Sequence, residues 1–322
     1  MSSIAIMCSG GDCSGMNPAI KKFVDYSYDK NLTPYFIYDG LDGLIDSNIK
    51  KAVHKDVAGI IHLGGTIIRT SRSKRFYEYS NRCTAYNNLK ELNIEKLIVL
   101  GGDGSFKAMN IFSNEFNISF IGIPSTIDND INGTDYCLGV DSSLNIIKNA
   151  LDDIRDTSSS FKRAFVVETM GANCGYLALI SALTSGAEIC IIPEIKYDLN
   201  SLEKKLLQEI QNGRSYVLAI VAEGTKDTQK IKKWISDKLH IEVRDMKLGH
   251  IQRGGSPSVY DRLMAFEFIT YSIDKLINVN VNVNEIIVYK NSKFSFLPIN
   301  IVVKDKFTIN NKLLKLVENL TK

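Results

Sequence analysis

Short apolar, β-branched runs recur along the chain, separated by segments with apolar residues at helical spacing. The runs "SIAIM", "YFIYD", "KLIVL", "ISFIGI", "RAFVVE", "EICIIP" and "YVLAIVAE" are apolar almost throughout, as strands covered on both faces are. Between them, "NPAIKKFVDYSY" and "SFKAMNIFSNEF" predict helices, each following a strand and a glycine loop. A longer helix, from about 142 to 155, carries Leu144, Ile147, Leu151 and Ile154 on one face and is expected to end before the polar run "DTSSS". The chain's first passage between domains is placed there. "DLNSLEKKLLQEIQNG" has an Asn/Ser start, helical spacing and a closing glycine, a full set of helix signals. "PSVYDRLMAFEFITYSIDKLI" predicts another helix, "NVNVNVNEIIVYKNSKFSFLPI" alternates like strand and turn, and "NNKLLKLVENLTK" predicts a terminal helix. Strand and helix in alternation imply parallel strands with crossover helices, an α/β fold. No tandem repeat and no true linker interrupts the pattern.

A chain of 322 residues is long for one compact unit, so two domains sharing an interface are expected. Its net charge of +3 and 23% charged residues give no sign of a nucleic-acid surface. The N-terminal "MSSIAIMCSGGD" has only a four-residue apolar run, too short for a signal peptide or membrane span. Six scattered cysteines without a CxxC pair and four histidines without zinc spacing suggest reduced thiols and a cytoplasmic protein.

Candidate chemistry sits in the loops. "GGDGS", residues 101–105, follows an apolar strand and opens a helix, so its amides can surround phosphate oxygens while Asp103 faces the neutralising metal. A tight turn that merely needs glycine is the plainer alternative. "LGGTIIRTSRSKRF" gathers Arg69, Arg72, Lys74 and Arg75; such a loop is often just a solvated face, but phosphate would relieve its mutual repulsion. In "PSTIDNDINGTD", Thr126, Asp128 and Asp130 follow an apolar strand, and their spacing would put both acids on one side of an extended segment. One carboxylate there can take a hydroxyl proton while another supports a metal; residues 130–133 also read as an Asx turn. "EVRDMKLGHIQRGGSPS" and "SSSFKR" add Arg244, His250, Arg253 and Arg163, making a sugar-phosphate pocket plausible.

Together, "SGGDCSGMN", "GGT" with "SR", "GGDGS", "TIDNDINGTDY", "RDTSSS", "VVETMG", "AEG" and "LGHIQRGGSPSVYDR" resemble, in order and spacing, the bacterial ATP-dependent 6-phosphofructokinases. The match covers about residues 2–275. The resemblance implies two Rossmann-like three-layer α/β domains with mainly parallel sheets. The larger, ATP-binding domain would be 1–139 plus about 253–305, and the smaller, sugar-phosphate-binding domain 140–252 plus about 306–322, with chemistry between them. It implies a glycolytic kinase that uses Mg2+ and ATP to phosphorylate fructose 6-phosphate, assembled as a homotetramer. By matching position, Gly11, Arg72, Asp103, Gly104 and Ser105 would hold the nucleotide phosphates and magnesium. Asp128 would be the base, Asp130 would support the metal, and Thr126 the transferring phosphoryl group. Met170, Gly171 and Glu223 would contact the sugar, His250 and Arg253 its phosphate, and Arg163 and Arg244 would reach that phosphate from a neighbouring subunit.

Three departures bear on mechanism. Ala172 stands where the family has an arginine that stabilises the transferring phosphoryl group; Arg69, where the family usually has glycine, is a candidate to compensate. Gly104 and Ser125 stand where pyrophosphate-dependent relatives are associated with Asp and Lys, which favours ATP, although Ser125 replaces the family's glycine and Leu41 and Tyr77 replace common nucleotide contacts. At the family's basic effector site, Lys21, Arg155, Gly186, Glu188 and Arg214 fit, whereas Asp25, His54, Gly59, Asn212 and Tyr216 do not, so regulation by ADP or phosphoenolpyruvate is expected to be weak or absent. The competing readings are a pyrophosphate-dependent kinase, a sugar-phosphate-binding subunit that catalyses poorly, and, more distantly, a nucleotide or lipid kinase sharing "GGDG".

Overall fold

The computed structural model describes residues 2–279 and 282–322, and the chain divides into two compact units. The first comprises Met1–Ile127, Ile131–Ser142 and Arg253–Phe307, the second Asp128–Asp130, Ser143–Gln252 and Thr308–Lys322.

In chain order the first unit begins with β1 (Ser3–Ser9), α1 (Met16–Asp29), β2 (Thr33–Ile37), α2 (Gly40–Ile45) and β3 (Ile49–Lys51). It continues with α3 (Tyr79–Glu91), β4 (Ile94–Gly101), α4 (Asp103–Glu115) and β5 (Ser119–Pro124). The chain passes to the second unit in the first turn of α5 (Val140–Phe161). There follow β6 (Ala164–Thr169), α6 (Tyr176–Ser185), β7 (Ile189–Ile191), α7 (Leu199–Gln211), β8 (Val217–Ala222), α8 (Thr228–Leu239) and β9 (Val243–Lys247). The first unit resumes with α9 (Val259–Asn278), β10 (Asn284–Lys290), β11 (Lys293–Pro298) and α10 (Ile299–Lys304), and α11 (Asn311–Val317) ends in the second.

The first unit's sheet runs β11-β10-β5-β4-β1-β2-β3. Its central pairs are parallel, with Ala5 opposite Leu97 on one side and Tyr35 on the other, and antiparallel pairing is confined to β3 and β11 at the edges. Ile4, Ala5, Ile6, Met7 and Cys8 are all fully buried, which explains why "SIAIM" shows no alternation: helices cover both faces of a central parallel strand. The second unit has four parallel strands in the order β7-β8-β6-β9. Val217, Ala219 and Val221 pack there with Leu202, Leu206, Ile231 and Ile235 from α7 and α8.

The α/β class and parallel sheets agree with the sequence pattern; some details differ. The helix expected to stop at about 155 runs on to Phe161. Its serines return their hydroxyls to their own helix, Ser159 and Ser160 both donating to the Asp156 carbonyl, so the polar run is solvated helix and not a break. The strand expected in "EICIIP" narrows to Ile189–Ile191. Residues 280 and 281 of the alternating "NVNVNVN" lie outside the described residues. The pattern does not mark α3, whose buried residues include Arg82, or the edge strand β9, exposed at four of five positions.

Candidate active site

In the first unit the glycine loops lie where the sheet order reverses. β1 is flanked by β2 on one side and β4 on the other, so the loops leaving β1 and β4 part and open a crevice at their carboxyl ends. There the Ser105 hydroxyl donates to Ser9 Oγ at 2.9 Å, and Gly10 N donates to Ser71 O at 3.0 Å. Ser14 Oγ donates to the Gly254 carbonyl at 2.7 Å, and a Cβ on Gly64 would stand 2.3 Å from the Gly255 carbonyl. Four motifs distant in sequence are thus interlocked by hydroxyl and backbone contacts, and the approach at Gly64 is one that only glycine permits. Gly11 also lies close to an arginine: a Cβ there would stand 2.4 Å from Arg253 Nη1, the end of a flexible side chain, and that guanidinium donates to the Asp12 carbonyl at 3.2 Å. Arg253 therefore belongs to the phosphate-loop cluster, while His250, exposed, falls in the second unit.

Asp103 is the first residue of α4, where the helix dipole favours a carboxylate. Its side chain is 46% exposed, and Lys107 Nζ lies 2.6 Å from Oδ2. A Cβ on Gly104 would touch nothing within 4 Å, and Thr126 packs against Gly102. Ser125 is fully buried and its hydroxyl donates to the Ile123 carbonyl at 3.0 Å. The serine is therefore a core residue turned onto its own strand. Leu41 is likewise buried, whereas Tyr77 is exposed.

The basic loop divides in a way the sequence did not indicate. Arg69 forks onto Asp39 at 2.5 and 2.6 Å, and Arg75 onto Asp46 at 3.0 and 2.8 Å. These guanidinium groups hold Asp39 and Asp46 below the usual carboxylate range. Internal carboxylates thus relieve the repulsion that phosphate was expected to relieve. Arg69, its side chain 62% exposed, thus has an internal partner in Asp39. Among the described residues Arg72 has no ion-pair partner.

Thr126 of the first unit and Asp128 and Asp130 of the second do not form the extended segment expected of them. A turn occupies 127–128, and Asn129 adopts φ +51°, so a left-handed residue stands between the acids and the alternation of an extended strand does not place them. Asp128 and Asp130 are both half-buried, and their charges act on Cys174, which places them beside the loop after β6. Burial, with smaller contributions from Glu194 and those two acids, pushes the Cys174 thiol up to about 12. In that loop Gly171 adopts φ +135°, and a Cβ would stand 2.3 Å from the Cys174 carbonyl. Ala172 adopts φ +48° and donates its amide to Glu223 Oε1 at 3.0 Å. Met170 N donates to Gln252 Oε1 at 3.1 Å, and Gln252, 1% exposed, donates onward to the Gly249 carbonyl. The sequence reading quoted "GHIQRGG" without giving Gln252 this bridging part.

Arg163 and Arg244 are elsewhere. Arg163 immediately precedes β6, and Arg244 pairs with Phe165 at the start of β9, the amino end of both strands, whereas Met170, Gly171 and His250 follow their carboxyl ends. The two arginines share Glu242, at 2.6 and 2.5 Å, and Arg163 chiefly holds that carboxylate below its usual range.

The sequence reading also missed Asp261, fully buried at the start of α9. It accepts from Tyr136 Oη, Gly139 N and both the amide and hydroxyl of Ser142, joining α9 to the start of α5. The signal was present as Ser258-x-x-Asp261, a capping-box spacing; its use 119 to 125 residues away was not.

Amides and cations gathered at the reversal point of a parallel sheet are the mark of proteins that bind phosphorylated ligands. The model of the family described as Phosphofructokinase matches residues 3–276, and the chain belongs to that family. It is 55% identical over 315 residues to the ATP-dependent 6-phosphofructokinase of Sulfurimonas denitrificans, covering 98% of each chain. To that of Sulfurovum sp. it is 55% identical over 317 residues, covering 98% of this chain and 96% of the relative. The solved structure of phosphofructokinase from Saccharomyces cerevisiae superposes with TM-score 0.91 at 30% identity over 94% of this chain, which spans 45% of that yeast chain.

Proposed function

We propose that this chain transfers the γ-phosphoryl group of ATP to the 1-hydroxyl of fructose 6-phosphate, giving fructose 1,6-bisphosphate and ADP, in glycolysis in the cytoplasm. The observation that carries the reading is its 55% identity over 98% of both chains to an ATP-dependent 6-phosphofructokinase, joined to the retained acids of "TIDND". No described helix is long and apolar enough to cross a membrane.

In this reading Asp128 accepts the hydroxyl proton as O1 attacks the γ-phosphorus and the bond to the β-phosphate oxygen breaks, ADP leaving. Gly11, Gly104 and Ser105 hold phosphates on the first unit, with Arg72, whose charge has no ion-pair partner among the described residues, as their cation. Thr126 supports the transferring group; Met170, Gly171, Glu223, His250 and Arg253 hold the sugar phosphate. Magnesium fits as a lightly held ion. Among the described residues no group of three His, Cys, Asp or Glu could hold a metal, and Mg2+ takes one or two carboxylates with water and substrate phosphates, a part open to half-exposed Asp103 and to Asp130. Bound there, it would neutralise charge on the β- and γ-phosphates.

The position of Arg163 and Arg244 supports a shared site in a homotetramer. β6 has six residues and so spans about 20 Å, beyond the reach of an arginine at its amino end to a sugar held at its carboxyl end. Those arginines therefore serve a second copy.

The test is a coupled assay with fructose 6-phosphate as acceptor and ATP or pyrophosphate as donor, on wild type and Asp128→Asn. Wild type should use ATP only, and the variant should lose about 10²- to 10⁴-fold in turnover. Equal activity in the two proteins would refute the assigned base, and turnover with pyrophosphate would refute the donor.

A further inference from the structure

α4 opens on Asp103, and Lys107 stands one helical turn on, its ammonium 2.6 Å from Asp103 Oδ2. The lysine side chain is 52% exposed and the aspartate 46%. An ion pair of this kind, within one helix and open to water, is weak and readily exchanged. Its place gives it consequence. Asp103 lies at the helix end whose amides would receive phosphate, where a carboxylate facing a polyphosphate is a like-charge contact. Some cation has to cancel it. A divalent ion between carboxylate and phosphates is one solution; the lysine already on the carboxylate is another.

We propose that Lys107 is a further nucleotide-site residue: it stands in for the divalent ion at Asp103 and lets the loop accept a nucleoside triphosphate without metal. When metal is present the ion takes the carboxylate and Lys107 is released to solvent, so its contribution falls away. This rests on the nucleotide-loop assignment above.

The experiment is equilibrium binding of the β,γ-imido analogue of ATP by calorimetry, without sugar phosphate, once in EDTA and once in excess MgCl2. Wild type, Lys107→Met and Lys107→Arg are compared. The methionine variant should bind roughly tenfold more weakly than wild type in EDTA yet within about threefold of it in MgCl2. The arginine variant, which keeps the charge, should follow wild type in both. Unchanged affinity of Lys107→Met in EDTA, an equal loss in both buffers, or an arginine variant as weak as the methionine one would each overturn the proposal. Failure of wild type to bind in MgCl2 would instead remove the nucleotide-loop assignment, and this proposal with it. Thermal unfolding of all three confirms that each is folded.

Discussion

Gly224→Ala adds one methyl group where the loop after β8 crosses the loop after β6. Its Cβ would stand 2.1 Å from the Ala172 carbonyl oxygen and 3.2 Å from the carbonyl carbon, where Cβ atoms do not come inside 3.0 Å. The two backbones must therefore separate by about 0.9 Å. No rotamer change relieves this, because both touching atoms are fixed to main chain. Glu223 rides on one loop and Ala172 on the other, joined at 3.0 Å, and a parting of this size breaks that hydrogen bond. Misplacing a positioning group by about 1 Å lowers turnover by about 10²-fold. Overpacking itself costs about 1 to 3 kcal/mol, a fall of a few degrees in Tm for a unit this size. The expected outcome is kcat/KM for fructose 6-phosphate down about 100-fold in a folded protein, by coupled assay beside a thermal scan. A variant with kcat and KM within about threefold of wild type would show that these loops are not rigidly interlocked.

Two further outcomes test other parts. Arg82 is 7% exposed and bonded twice to Glu115, at 2.6 and 2.7 Å, so Glu115→Gln should lower stability at pH 7 by about 2 kcal/mol. Arg82 holds the Glu115 carboxyl below its ordinary value; that stability is present above the ordinary carboxylate range and lost as pH falls through the lower folded value. The gap in Tm between wild type and variant should accordingly narrow as pH falls through and below the ordinary carboxylate range, and a gap that does not narrow on acidification would contradict the assignment. At the expected effector face, Asp25 accepts from Lys21 at 2.8 Å and bonds His54 at 3.0 Å, so an internal acid already engages both side chains. ADP added at saturating ATP should change velocity by less than about twofold, and a large activation would refute this.

Much of the fold is legible because it rests on local period. A central strand buried on both faces must be apolar throughout, and "SIAIM" and "KLIVL" are; glycine loops between strand and helix announce anion sites because their amides have no helical partner. Edge strand β9 lacks that signature because water covers it, and α3 lacks it because its buried face includes Arg82, satisfied by Glu115 33 residues away. The same limit hid the partners of the basic loop. The order of β1, β2 and β3 brings Asp39 and Asp46 to Arg69 and Arg75 from 30 and 29 residues away.

By itself the sequence determined the α/β class, the glycine loops, the acids of "PSTIDNDINGTD" and the family. Each of these is written in neighbouring residues or fixed spacing. Tertiary structure alone decided which charges are paired: Arg72 without an ion-pair partner among the described residues, Arg69 held by Asp39, Arg163 and Arg244 sharing Glu242 at the amino end of their sheet. Pairing depends on distances between segments far apart in the chain. Strand order sets those distances, and no local pattern carries them.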